Sequence, residues 1–292
     1  MINRSSGTAE GIAYMRYYES LRPPAQRICN DYLAYHFMAW WVKAAALACK
    51  PLPIAFMDWA FERKGKGVSG YIAVRTRMFD EYVLKGAAAG ASQYVVMGAG
   101  LDSRAYRFAD QLAGVRIFEV DHPSSQAAKK QRVIKHFGKL PSHVRYVPVD
   151  FTRDDLLDRL SNAGYETGLS TLFTLEGVVM YLDADSAANT LSFIRENSGT
   201  ASSVIFDYVY LAALDGRIKN RVITHMNSLK WIFHEPILFG IEKGEAESFL
   251  RASGFKRAED YPPRRLHELF LKPTAPERPI SDVYAIAVGY KN

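Results

Sequence analysis

The stretch YVVMGAGLDSRAYRF, Tyr94–Phe108, opens as an apolar, β-branched run, reaches two glycines and then turns toward helix-forming sequence. A strand that runs into glycines and then a helix is the entry to an α/β nucleotide site. Gly98 and Gly100 hold the first two positions of a G-x-G-x-x-G pattern. The third position is Ser103, preceded by Asp102. Glycines there permit positive φ and let backbone approach a ligand, so the loop is expected to meet a cofactor.

Outward from this loop, short β-branched runs alternate with helical segments, the pattern of a parallel α/β sheet. The runs are 94–98, 115–121, 144–150, 171–177, 202–209 and 283–290. PSSQAAKKQRVIKHF (123–137) and DADSAANTLSFIREN (183–197) read as helices with Pro and Asp/Ser starts, and Gly254 as a helix stop. Before Lys85 the texture is helical and aromatic, with Met78, Phe79, Tyr82 and Val83 on one face. Residues 210–244 break the alternation yet are too apolar for disorder, and read as an inserted helical cap. The chain is thus expected to be one domain: a helical cover (1–90), a cofactor-binding core (91–209), a cap (210–245) and a closing part of the sheet (246–292).

The remaining composition removes several function classes. Its two cysteines, Cys29 and Cys49, are far apart, and the seven histidines show no paired-ligand spacing. No metal site or disulfide scaffold is expected, and a reducing, cytoplasmic setting is. The net charge of +6 is scattered rather than clustered, and the densest basic run, KKQRVIKHFGK (129–139), reads as the solvated face of a helix. No nucleic-acid partner is expected. The very apolar stretch Tyr32–Phe61 is broken by Lys43, Lys50, Pro51 and Pro53. It cannot span a bilayer, and reads as buried helices rather than a membrane-facing surface.

The strand ends select the ligand. A nucleoside ribose needs a carboxylate at the end of the second strand, where Glu119 and Asp121 alternate onto the same face. Asp121 could instead cap the helix that starts at Pro123. The third strand ends in Asp150 and Phe151, a polar group and a ring suited to an adenine edge and face, and the fourth in Glu176. Asp102 would repel the pyrophosphate of a dinucleotide but attract an ammonium group. S-adenosylmethionine, which joins adenosine to a sulfonium and an amino-acid tail, meets both requirements. An NAD(P)-dependent oxidoreductase and a non-catalytic module binding the same cofactor are the alternatives.

GAGLDSRAYRF, FEVDHP, VPVDF and LEGVVMYL, in that order and spacing, resemble the leucine carboxyl methyltransferase family, and within it the bacterial and archaeal branch of S-adenosylmethionine-dependent O-methyltransferases. The resemblance begins near GTAEGIAYMRYYES, includes AVRTRMFDEYVL and runs to about Tyr208. It implies a Rossmann-like class I methyltransferase fold, a mostly parallel seven-stranded sheet with an antiparallel last strand, under an N-terminal helical cover. It also implies that Gly98 lies against the cofactor, Asp121 holds the ribose, Asp150 and Phe151 bracket the adenine, and Glu176 contacts the cofactor. An arginine before the glycine loop would pair with the methionine carboxylate, Arg75 aligning best and Arg77 being its rival. Arg16 falls where relatives carry a basic residue. The acceptor is expected to be a carboxylate or hydroxyl of a small molecule or a peptide end, in a pocket between the cover and the cap. Tyr14, Tyr17, Tyr18, Trp40, Trp41 and Trp231 read chiefly as core, and His225 and His234 as ordinary surface or packing residues.

Overall fold

The computed structural model describes residues 7–151, 153–220, 223 and 236–292. Its centre is β1 (Gln93–Met97), all five residues of which are buried. Tyr94 and Val96 face one side and Val95 and Met97 the other, and both sides are covered, which is why this strand reads as continuously apolar rather than alternating. Around it stand β2 (Arg116–Asp121), β3 (Val144–Pro148), β4 (Thr171–Leu175), β5 (Ser203–Val209), β6 (Arg257–Tyr261) and β7 (Tyr284–Tyr290). They form one seven-stranded sheet of order β3-β2-β1-β4-β5-β7-β6. The pairings of β1 through β5 are parallel and β7 runs antiparallel to both its neighbours. The strand order reverses between β1 and β4, so the crevice for a ligand opens at the carboxyl ends of the central strands.

Six of the seven strands are legible as apolar runs. β6 is not: RAEDY carries three charges in five residues and buries only Ala258, as an edge strand that must resist further pairing does.

Helices pack on both faces. On one side α8 (Leu156–Asn162), α9 (Ala184–Glu196) and the helix Ala246–Ala252 bury Leu160, Ala187, Leu191, Ile194 and Leu250 against Val95, Phe118, Phe173 and Phe206. Asp183 caps α9 by accepting from the Ser186 amide at 2.7 Å. On the other side lie α1 (Gly7–Ser20), α2 (Ala34–Phe37), α5 (Val68–Ala88) and α7 (Pro123–Phe137). α7 begins at the predicted proline, but its basic run is not merely solvated. Lys129 is buried and pairs with Glu119 at 2.8 Å, and Arg132 reaches Glu10 at 2.7 Å. The run therefore fastens α7 to the sheet and to α1.

The outer part of the helical cover departs from the sequence reading. α3 (Trp40–Cys49) buries only Val42 and Ala46, and α4 (Ile54–Lys64) only Met57 and Phe61. Trp40, Trp41, Leu47, Phe56 and Trp59 are exposed. Tyr18 is buried, and Tyr14 and Tyr17 are half-buried. α3 spends its few inward positions on small contacts, so its tryptophans are left outside.

The end of the chain locks α5. The Ser281 amide donates to the Gly67 carbonyl at 2.9 Å, and a Cβ placed on Gly70 would lie 2.1 Å from the Pro279 carbonyl oxygen. Neither backbone can retreat without breaking that contact. Gly70→Ala is expected to cost about 1–3 kcal/mol or more, the usual cost of overpacking. Urea unfolding of the variant checks this, and unchanged stability would show that the two segments are free to separate.

Candidate functional site

Each strand end expected to carry chemistry delivers its residue to the crevice, with one exception. After β1, the chain passes Gly98 at φ +67°. A Cβ there would stand 2.5 Å from Val178 Cγ2, so both conformation and space demand glycine. The Gly100 amide donates to Asp121 Oδ2, and the His122 amide donates to Asp121 Oδ1 at 2.7 Å. Asp121 is therefore not the cap of α7; that place is taken by His122, whose Nδ1 accepts from the Ser124 amide at 3.3 Å. Burial raises the Asp121 pKa, opposed by these two amides. Each carboxylate oxygen retains acceptor capacity toward the crevice.

The loop does not lead into a long helix. α6 (Arg104–Arg107) is a single turn, too short to offer a pyrophosphate a developed helix terminus. Its first residue, Arg104, is fully buried and ringed by acids. Arg104 Nε lies 2.7 Å from Asp80 Oδ1, and Nη1 lies 2.6 Å from Asp102 Oδ2 and 2.5 Å from Glu176 Oε2. Arg75 approaches Glu176 Oε1 at 3.0 Å and donates to Asp207 Oδ2 at 2.7 Å. Arg107 holds Asp80 and Asp31, and Arg16 pairs with Asp31 at 3.2 Å while donating to the Leu101 carbonyl at 2.8 Å. Among the described residues, four guanidiniums thus share five carboxylates, leaving one negative charge in excess. Burial alone would raise the Asp102 pKa, but Arg104 and Lys129 outweigh it and bring it down to about 2. Glu176 is lowered in the same way, with Arg104 and Arg75 overcoming burial.

Asp102 differs from the sequence expectation in one respect. Its charge does not stand alone in the loop, because Arg104 takes up most of it. The site remains acidic only because the whole cluster carries more carboxylates than guanidiniums.

A cavity of about 430 Å³ opens at this point. Arg16, Arg75, Gly98, Gly100, Asp102, Asp121, Phe151 and Glu176 all line it. Asp150 does not: its carbonyl and amide are engaged with the Arg153 and Asp154 turn, and its carboxylate lies 3.8 Å from Arg153 Nε. The strand ends at Pro148, and the succeeding turn presents the Phe151 ring in its place. Arg77, the rival of Arg75, is exposed and paired with Glu81 at 2.7 Å on another face of α5. The far wall is apolar, formed by Ile12, Val68, Ile72, Met180 and Leu182 with Tyr284. His225, His234 and Trp231 lie outside the described residues.

Sequence reading missed the organisers, Arg104, Asp80 and Asp207. Asp80 and Arg75 sit five residues apart within RTRMFD, and Arg104 comes directly after Asp102 and Ser103, but nothing local marks them as partners. Among the described residues Arg16 Nε is buried without a hydrogen-bond partner, while Arg75 Nε forms an ion pair with Glu176 Oε1 at 3.0 Å. Among the described residues no cluster of side chains could hold a metal ion.

Removing Arg104 leaves Asp80, Asp102 and Glu176 without their shared cation. Arg104→Met is expected to lose about 3–5 kcal/mol by chemical denaturation. The depressed Asp102 pKa contributes stability above its ordinary 3.8 that is lost as pH falls toward about 2. Unfolding free energy should fall across that window, and less steeply in Asp102→Asn.

A family model described as leucine carboxyl methyltransferase matches residues 9–195. The Bacillus subtilis protein "Putative S-adenosyl-L-methionine-dependent methyltransferase YktD" is 31% identical over 181 residues, covering 62% of this chain and 59% of its own. A Parafrankia protein with the same description is 36% identical over 204 residues, covering 68% and 62%. The match thus spans about three fifths of these relatives' length. Among solved structures, a DUF574 family protein from Streptomyces avermitilis aligns over 98% of both chains with a TM-score of 0.58 at 14% identity, a likeness of fold.

Proposed function

The chain belongs to the leucine carboxyl methyltransferase family, and from that premise we propose that it binds S-adenosylmethionine in the 430 Å³ cavity and methylates an oxygen of a small molecule or peptide end. The observation that carries this is Asp121: a half-buried carboxylate at the end of β2, fixed by the amide of the glycine loop and facing a cavity with an acidic excess.

The residues present fit the cofactor. Asp121 accepts from the ribose hydroxyls, and Phe151 offers its ring to the adenine. Gly98 and Gly100 let the loop backbone close in without a Cβ between. Asp102 and Glu176 take the ammonium end, while the Arg16 and Arg75 guanidiniums that line the cavity attract the carboxylate. When bound, the sulfonium supplies an activated methyl group that passes to the acceptor oxygen as the carbon–sulfur bond breaks. The chain's own part is alignment, worth up to roughly 7–11 kcal/mol in favourable systems. The cluster fixes α1, α5 and the glycine loop against one another, so the reacting groups meet in one arrangement. The apolar wall of Ile12, Ile72, Met180 and Leu182 excludes water and suits an acceptor with an apolar body.

The acceptor class is read from what surrounds the site. His122 is the histidine among the described lining residues, and its ring is occupied in capping α7 beside Asp121. A carboxylate acceptor is already a nucleophile and needs no base, whereas a hydroxyl acceptor would need one.

Calorimetry with S-adenosylhomocysteine is the direct test. Binding is expected, with Asp121→Ala weaker by about 1–3 kcal/mol, the cost of losing a charged hydrogen-bond partner. No heat at high micromolar ligand, or a response to NADH instead, would overturn the reading. Methylated products that release methanol in base would identify a carboxylate acceptor, whereas base-stable products would indicate a hydroxyl.

A further inference from the structure

The outer face of the helical cover is unusual for a protein surface. On α3 the outward positions are Trp40, Trp41, Ala44, Ala45, Leu47 and Ala48, with no charge among them. Leu52 in the connection and Phe56 and Trp59 on α4 are exposed as well, the last two rings 5.5 Å apart. Trp40 is 80% exposed, Trp41 55%, Leu47 54%, Phe56 48% and Trp59 53%. Isolated exposed apolar residues are ordinary, but an outward helix face carrying Trp40, Trp41 and Leu47, with Phe56 and Trp59 paired on the next helix, marks an interaction surface.

The charges at its border decide what covers it. Lys50, Arg63, Lys64 and Lys66 are exposed around the patch. The acids of the same segment are already engaged: Asp58, with its side chain 35% exposed, pairs with the buried Arg22, and Glu62 accepts from the Gly67 amide at 2.8 Å and from Ser69 at 3.4 Å. The face presented outward is therefore apolar at its centre and cationic at its edge. Arg63 also lies over the Trp59 ring at 5.0 Å, placing a cation at the depth of the indole.

We propose that this face of α3 and α4 docks on the anionic surface of a phospholipid bilayer. Indoles prefer the headgroup level, and basic residues near it are drawn to anionic lipid. Among the described residues no helix is long and apolar enough to cross a membrane, so the attachment lies in the interface plane. A second copy of the chain is a poorer occupant, because two-fold pairing would press the same basic rim against itself. The patch is the outer side of a cover whose inner helix, α1, lines the cavity with Ile12 and Arg16. Docking would hold the cavity one helix away from the lipid.

The test is co-sedimentation of the full chain with vesicles of phosphatidylglycerol mixed with phosphatidylcholine, against vesicles of phosphatidylcholine alone. Binding to the anionic vesicles, with a blue shift of tryptophan emission, is expected. The exposed variant Trp41→Glu should abolish the binding while leaving far-UV circular dichroism and thermal midpoint unchanged. Reversal of Lys50, Lys64 and Lys66 to glutamate should weaken it at least about fivefold per residue, as expected when basic side chains near an anionic surface are lost. Failure to bind either vesicle would overturn the proposal. So would binding that is indifferent to the lysine reversals, or a dimer by light scattering that Trp41→Glu dissociates.

Discussion

Arg104 is the cation on which the site is built. It is fully buried and touches carboxylates from three places in the chain: Asp80 on α5, Asp102 in its own loop and Glu176 after β4. A charge cannot be left alone in such a place, so its partners must arrive in register. Their arrival fixes the angle of α5 to the sheet and the path of the glycine loop. Arg75 and Asp207 extend the same constraint to β5, and Arg107, Asp31 and Arg16 carry it to α1. The walls of the cavity are in this sense the margins of one ionic cluster.

Sheet and loop are legible in the sequence because their physics is local. Apolar runs, glycines and strand-end acids report themselves within a few residues, and six of the seven strands do so. β6 hides because an edge strand carries the charges that discourage further pairing. The same limit applies to the site. Asp121, Glu176 and Arg75 stand at positions that a strand end or a family motif identifies. Arg104 and Asp207 owe their roles to partners 24 to 132 residues away, which periodicity cannot reveal. Asp150 departs from expectation for a smaller reason: β3 stops two residues short of it, and the next turn swaps the ring of Phe151 into the cavity.

The helical cover shows the opposite failure. Apolar content suggests burial, yet α3 is apolar nearly all round while only Val42 and Ala46 point inward. Composition records how much apolar surface a helix has, not whether the fold supplies enough protein to cover it. The sheet, with its helices on both faces, satisfies its own strands. α3 and α4 lie outside α1 and have nothing beyond them among the described residues.

The pairing of Arg75 with Asp207 also sets an order of events during synthesis. Arg75 leaves the ribosome 132 residues before the carboxylate that neutralises it. Until β5 emerges, α5 can form and β1 can meet β2, but that guanidinium lacks its deepest partner. Tyr284 of the last strand, β7, completes the pocket wall still later, so a chain stalled before residue 207 would hold the glycine loop without the finished site. The protein becomes competent for ligand only when most of its length has been made.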